Sequence, residues 1–137
     1  MNIDKKQHAY VSIFRQLTDP GAQWEYLFML GSSQTPSCPV RTAGCLIPEC
    51  QTLIWLKLLE TYPAVDFVCD SDSVLVKGVL KIFEDLYIGC PVKEIHACPP
   101  YFLDSISEEV IYLRIKQNGL KRFYETLKNN HIKGDFL

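Results

Sequence analysis

The chain has 137 residues, of which 47% are hydrophobic and 22% are charged, and its formal net charge at pH 7 is −2. This length predicts a single domain over residues 1–137, and the apolar content excludes an intrinsically disordered chain. The charge balance argues against a nucleic-acid-binding protein, because such proteins carry a clear basic excess. We expect the core to span about residues 4–127, with a frayed tail at 128–137.

The sequence also predicts the cellular compartment of the protein. It has no apolar run of roughly 18 or more residues, so we predict no membrane-spanning segment and no membrane partner. Residues 1–8 contain lysines, but no uninterrupted apolar stretch follows them, as it would in a signal peptide. We therefore expect a reducing compartment, the cytoplasm.

Two helices are predicted at the N-terminus. Apolar residues at helical spacing form one face of the first helix: Tyr10, Ile13, Phe14 and Leu17. Asp4 is its expected N-cap. The second helix begins at Pro20 and ends at Gly31, and residues 32–42 form a loop rich in proline and small polar residues.

The middle of the chain is expected to form a small sheet. Residues 51–59 and 64–69 are predicted to pair as a hairpin around the turn at 61–63, and residues 43–47 could add a third strand. Acidic residues at 70–72 then open the helix with the widest apolar stripe, which ends at Gly89.

The C-terminal part returns to helices. Residues 91–106 contain three prolines and predict one or two short helical turns, followed by a helix from Ser107 to Leu127 that Asn118-Gly119 could divide. Helices, then strands, then helices indicate an α+β fold. We expect a small antiparallel sheet of about three strands, packed against the N- and C-terminal helices.

The chain contains six cysteines, and in a reducing compartment we expect them to be free thiols, not disulfides. They are Cys38, Cys45, Cys50, Cys69, Cys90 and Cys98. Cys50 lies between Pro48-Glu49 and the strand-like residues 51–56, so we expect it at the tip of a connection between strands, where a partner can reach it. A buried cysteine that only packs is the alternative.

Two motifs carry a resemblance to a known family. Residues 50–55 are Cys-Gln-Thr-Leu-Ile-Trp, and residues 70–80 are Asp-Ser-Asp-Ser-Val-Leu-Val-Lys-Gly-Val-Leu. Together they resemble the SufE family, small sulfur-acceptor proteins of iron–sulfur cluster assembly. The two opening helices and Asn118-Gly119-Leu120 extend the resemblance over roughly residues 4–127.

The resemblance implies the fold shared by SufE and IscU-type scaffolds, and it implies sulfur transfer. Cys50 would take persulfide sulfur from a pyridoxal-phosphate (PLP)-dependent, SufS-like cysteine desulfurase, stimulate that enzyme and pass the sulfur to an iron–sulfur scaffold. The chain itself would bind no cofactor, because PLP belongs to the desulfurase. It would be a sulfur carrier and activator, not a turnover enzyme, and a monomer when alone.

Six further residues are implied to support the cysteine loop or the docking of a partner: Glu49, Gln51, Asp72, Lys77, Lys116 and Asn118. Glu49 stands where the family has glycine, and a neighbouring carboxylate disfavours a thiolate. Lys116 stands where the family has arginine, which keeps the charge but loses the bidentate fork. For Asp72 and Lys77, an N-cap and a solvated helix face are the structural alternatives.

Three alternatives stay open at this stage. Cys45 could be a resolving thiol for Cys50, or a strand residue that points into the core. The chain could dock a desulfurase without carrying sulfur. It could also hold a metal or nascent cluster as IscU-type scaffolds do, but the spacing of Cys38, Cys45 and Cys50 is not a compact zinc pattern, so we predict no metal site.

Overall fold

The computed structural model describes residues 2–33, 39–48 and 51–134, with side chains described up to residue 129. Its elements in chain order are α1 (Ile3–Gln16), α2 (Pro20–Gly31), a 3-10 turn (Ala43–Cys45), β1 (Ile54–Glu60), β2 (Asp66–Ser71), α3 (Val74–Tyr87), α4 (Val92–Ala97), a second 3-10 turn (Tyr101–Ser105), a π-helical segment (Ile115–Leu120) and α5 (Lys121–Gly134).

The predicted α+β class is confirmed, and its sheet is an antiparallel hairpin of β1 and β2. Ile54 lies opposite Ser71, and Trp55 lies opposite Asp70. The third strand expected at residues 43–47 is reduced to the 3-10 turn and a single bridge between Leu46 and Trp55. Alanine and glycine at the start of this segment are poor strand formers, which accounts for the loss.

Helices α2 and α3 pack in unusually close contact through two glycines. A Cβ added to Gly78 would collide with the backbone carbonyl of Leu27, and one added to Gly31 would collide with the carbonyl of Val74. Any larger residue would therefore push the helices apart. The glycine of the 70–80 motif has this packing role.

The core is aromatic where β2, α3 and α5 meet. The Phe83 ring lies 5.2 Å from Phe123 and 5.7 Å from Phe102, measured between ring centroids, and Phe67 packs edge-on against Phe123. All four side chains are essentially inaccessible to solvent. This cluster fixes the hairpin against the helices on either side of it in the sequence.

Three element boundaries differ from the prediction. Asn2, not Asp4, caps α1, because its side chain accepts from the Lys5 N–H at 2.8 Å. The chain makes turns at residues 108–110, and the last helix begins later than Ser107. Asn118-Gly119 lies inside the π-helical segment, which continues directly into α5, and does not divide the helix. The frayed tail expected from residue 128 stays a prediction.

No helix within the described ranges is both long and apolar enough to cross a membrane.

Candidate functional site

The chain is paired on both sides of the predicted cysteine loop. The Ile47 N–H donates to the Ile54 carbonyl at 2.8 Å, next to the Leu46–Trp55 bridge. Residues 48–53 therefore connect two segments that are hydrogen-bonded to each other. Cys50 and Glu49 lie outside the described residues. Gln51, which follows them, is exposed.

The end of this connection is held at Leu53 by the start of the second motif. The Leu53 N–H donates to Oδ1 of Asp72 at 3.1 Å, and the Asp72 N–H donates to the Leu53 carbonyl at 3.2 Å. The Ser71 hydroxyl donates to the same carbonyl at 2.7 Å. The two sequence motifs thus meet at one residue, although they are far apart along the chain.

The alternative in which Asp72 caps α3 is wrong. Strand β2 continues to Ser71, so the helix begins later than the acidic cluster suggests. Ser73 is the N-cap, and its hydroxyl oxygen accepts from the Val76 N–H at 3.3 Å. Asp72 is left to contact Leu53, which places it beside the loop.

Asp70 is a buried carboxylate between two cations. Its Oδ2 lies 2.7 Å from Nε of Arg41, and its Oδ1 lies 3.7 Å from Nζ of Lys77. Burial raises the pKa of Asp70, but hydrogen bonds from Arg41 and from the Ser71 N–H, together with the two positive charges, outweigh burial and hold the pKa below its ordinary value. Lys77 is therefore an ion-pair partner at this site, and not merely part of a solvated helix face.

Arg41 ties three elements together, and the sequence analysis missed it. Its Nη2 donates to the Ser71 carbonyl at 3.0 Å, and its guanidinium lies 4.7 Å from the centre of the Trp55 ring. With the Asp70 contact, one side chain joins the segment before the loop to both strands. Arg41 lies in an irregular segment without periodicity, so no pattern singles it out. The one sequence feature that points to a cation here is the acidic residue Asp70 in a strand.

Comparison with known proteins decides the family. The SufE family model, described as an Fe-S metabolism associated domain, matches residues 8–131. The chain belongs to the SufE family.

A curated relative agrees with this assignment. SufE-like protein 1, chloroplastic/mitochondrial, of Arabidopsis thaliana is 25% identical over 136 residues, which cover 95% of this chain and 37% of the relative. The chain thus spans little more than a third of that protein's length. The relative's name refers to organelles, and the cytoplasmic location of the present chain stays a prediction.

Two of the residues implied by the SufE resemblance lie away from the loop contacts. Lys116 is buried, and its Nζ donates to the Ile106 carbonyl. Burial lowers the pKa of this amine. Asn118 is exposed in the π-helical segment. Within the described part of the chain, neither side chain forms a hydrogen bond or ion pair with residues 46–53 or 70–77.

Helix α5 nevertheless comes close to the start of the cysteine loop. Pro48 lines a groove of about 260 Å³ together with residues of α5: Arg122, Glu125, Thr126 and Asn129. The loop of this SufE-family chain is thus flanked by the β2–α3 junction at Leu53 and by α5 at Pro48.

The described thiols fall into two groups. Burial, followed by the influence of Glu84, raises the pKa of Cys69 well above its ordinary value, and burial also raises the pKa of Cys90 and Cys98. These three are poor sources of thiolate. Cys45 is half-buried in the 3-10 turn, and not in a strand.

A metal scaffold would need several ligands in one place. Among the side chains that the structure describes in residues 2–33, 39–48 and 51–129, no three of histidine, cysteine, aspartate or glutamate gather into such a group. Cys38 and Cys50 belong to the spacing considered for metal binding and lie outside those ranges. The expectation of no metal therefore stays a prediction.

Proposed function

We propose that this chain is a sulfur acceptor of iron–sulfur cluster assembly, with Cys50 as the residue that carries the sulfur. The donor is a persulfide on a PLP-dependent, SufS-like cysteine desulfurase, and the recipient is an iron–sulfur scaffold. The chain also stimulates its donor, because removing the sulfur frees the desulfurase cysteine for another turnover. PLP stays with the desulfurase, and we propose cytoplasmic action.

The transfer is a thiol–disulfide type of exchange. Cys50 loses its proton to solvent and attacks, as a thiolate, the terminal sulfur of the desulfurase persulfide. A new sulfur–sulfur bond forms on Cys50 while the old one breaks, and the desulfurase cysteine leaves as a thiolate with the bonding electron pair. The step needs no external oxidant or reductant.

The observation that carries the proposal is the meeting of the two family motifs at Leu53. Ser71 and Asp72 hold the backbone three residues after Cys50, and the Ile47–Ile54 hydrogen bond closes the connection that contains it. Catalytic residues on loops work best when a rigid scaffold positions the loop. An anchored loop therefore suits a cysteine that has to meet a second protein.

The flanks of the loop also suit docking. Leu46 and Leu53 are 39% and 41% exposed, which is high for leucine. Along the chain, Leu46 precedes and Leu53 follows residues 48–52. Exposed apolar side chains around a reactive residue can be covered by a partner and can keep water from a persulfide. We assign Glu49 and Gln51 to the docking contact, and Asp72 and Lys77 to support of the loop. No loop role is assigned to Lys116 or Asn118.

The environments of the other described cysteines support Cys50 as the residue that carries the sulfur. Cys69, Cys90 and Cys98 have raised pKa values, and burial is the main cause in each. A thiol that rarely ionises is a slow nucleophile in this exchange. Cys45 is the nearest rival in sequence and serves as the matched control.

The test is the rate at which a SufS-like desulfurase forms alanine from cysteine, with and without this chain. We expect stimulation by the wild type and by Cys45→Ser, and its loss in Cys50→Ser. Stimulation that survives in Cys50→Ser would favour a docking module that carries no sulfur. Loss in Cys45→Ser alone would move the role to that residue.

A further inference from the structure

A second cavity adjoins the groove at Pro48, because Glu125 lines both. It has a volume of about 610 Å³ and lies between the segment 99–108 and helical residues 113–128. Cavities that bind small organic ligands are typically about 300–1,000 Å³ in volume. Its wall is largely apolar, with contributions from Pro99, Pro100, Leu103, Ile106, Leu113 and Tyr124.

Of the charged residues that line this cavity, Lys116 is the buried one. The residue lines the cavity yet is only 8% exposed, and its Nζ donates to the carbonyl of Ile106, another lining residue. No described carboxylate lies within ion-pair distance of it. A buried ammonium is costly unless it is paired, and this one has two further N–H donors.

The backbone around Lys116 is also unusual. It lies in the π-helical segment Ile115–Leu120, which leads directly into α5. Single π-helical turns are rare and occur frequently at functional sites. Lys116 is buried against the cavity wall, whereas its neighbour Gln117 lines the cavity but is exposed.

Other charged residues that line the cavity restrict the ligand further. Asp104, Glu108 and Lys121 are exposed, and the charges of the two carboxylates act on the amine of Lys116. Because these carboxylates repel a second negative charge, the cavity favours a ligand with one carboxylate over a ligand with two.

From this arrangement we propose that the cavity binds an elongated apolar monocarboxylate. The ligand's carboxylate pairs with the ammonium of Lys116, and its hydrocarbon part lies along Pro99, Leu103 and Tyr124. The Tyr124 hydroxyl already donates to the Ile95 carbonyl at 2.7 Å, so this residue offers its ring. The proposal does not depend on sulfur transfer, because it uses neither Cys50 nor the loop.

The experiment is a calorimetric titration of the full chain with decanoate, decanol and decanedioate, each below its aggregation limit. We expect decanoate to bind in a 1:1 complex. Decanol, which lacks the charge, and decanedioate, which carries a second one, should each bind at least about tenfold more weakly, a difference of about 1.4 kcal/mol. Equal affinity for decanol and decanoate, or no binding of decanoate, would overturn the proposal.

Variants locate the site. Lys116→Met keeps the length of the side chain and removes the charge, and it should weaken decanoate binding about tenfold or more. Lys57→Met, on the exposed face of β1, should leave it unchanged. Should Lys116→Met fail to fold, Leu113→Trp would narrow the cavity with the lysine intact and should also weaken binding. Wild-type affinity in a folded Lys116→Met variant, or in Leu113→Trp, would contradict the assignment.

Discussion

Asp72 and Leu53 form a reciprocal pair of hydrogen bonds. The Leu53 N–H donates to Oδ1 of Asp72 at 3.1 Å, and the Asp72 N–H donates to the Leu53 carbonyl at 3.2 Å. Asp72 thus satisfies both the N–H and the carbonyl of Leu53, and a third hydrogen bond, from Ser71 to the same carbonyl, reinforces the contact. This arrangement explains why an acidic residue lies directly before α3 without capping it.

Replacement of Asp72 tests whether this pair holds the loop. Asp72→Ala removes the side-chain acceptor, and we expect it to lower the free energy of unfolding by about 1 kcal/mol, the net contribution of a typical hydrogen bond. The amide of Leu53 should then exchange its hydrogen faster. Asp72→Asn keeps an acceptor oxygen and should show smaller effects on both. Equal amide exchange at Leu53 in the alanine variant and the wild type would show that the side chain does not hold the loop.

Arg41 is expected to contribute to the stability of the fold, although no sequence pattern singled it out. Arg41→Ala removes the close cation from Asp70 and the contact with Trp55. Because the arginine is half-exposed, we expect a loss of about 1 kcal/mol at neutral pH, measured by chemical denaturation. Arg41→Lys keeps the charge without the fork and should recover only part of it. Full recovery by lysine would mean that charge alone accounts for the contribution.

The stability lost in Arg41→Ala should depend on pH, because it depends on the charge of Asp70. Its pKa in the folded protein lies below the ordinary value of 3.8, so its ion pairs stabilise the fold fully above that value and fade as the pH falls through the lower one. The stability difference between wild type and Arg41→Ala should therefore be constant from neutral pH down to about pH 5 and shrink below 3.8. A difference that persists undiminished in acid would assign the effect of Arg41 to packing on Trp55.

Gly78 provides a test of the close helix contact. Gly78→Ala places a Cβ against the Leu27 carbonyl, and backbone atoms cannot move aside as a flexible side chain can. We expect a loss of about 1 to 3 kcal/mol, the usual cost of overpacking a tight contact. Gly44→Ala is the matched control, because nothing lies within 4 Å of the added carbon. Similar thermal stability for the two variants would argue against a steric role for Gly78.

The sequence predicted the α+β class, both N-terminal helices and the hairpin, because apolar residues recur at helical spacing in the first helix and because proline, glycine and β-forming residues mark the second helix and the hairpin. It placed the start of α3 too early. Asp70, Ser71 and Asp72 are all residues that cap helices well, so local preference could not distinguish them from Ser73. The deciding factor was pairing with β1, which extends β2 to Ser71.

The site was predictable only in part. The two motifs came from sequence, whereas the contact of Leu53 with Ser71 and Asp72 depends on the register of the hairpin. Arg41 was missed, because the acidic residue of β2 indicates that a cation is needed but not which one, and the partners of Arg41 are distant in sequence: Asp70, Ser71 and Trp55. For Lys116, its place in the motif suggested support of the loop, but its contact is the Ile106 carbonyl. Motif membership did not determine the residue's surroundings.

The most direct test of the central claim is the intact mass of the chain after incubation with a SufS-like cysteine desulfurase, PLP and cysteine. We predict that the wild type and Cys45→Ser each gain about 32 Da per sulfur atom, that reducing agent removes the gain, and that Cys50→Ser shows none. An unchanged mass of the wild type beside an active desulfurase, or the same gain in Cys50→Ser, would contradict the assignment of Cys50 as the sulfur carrier.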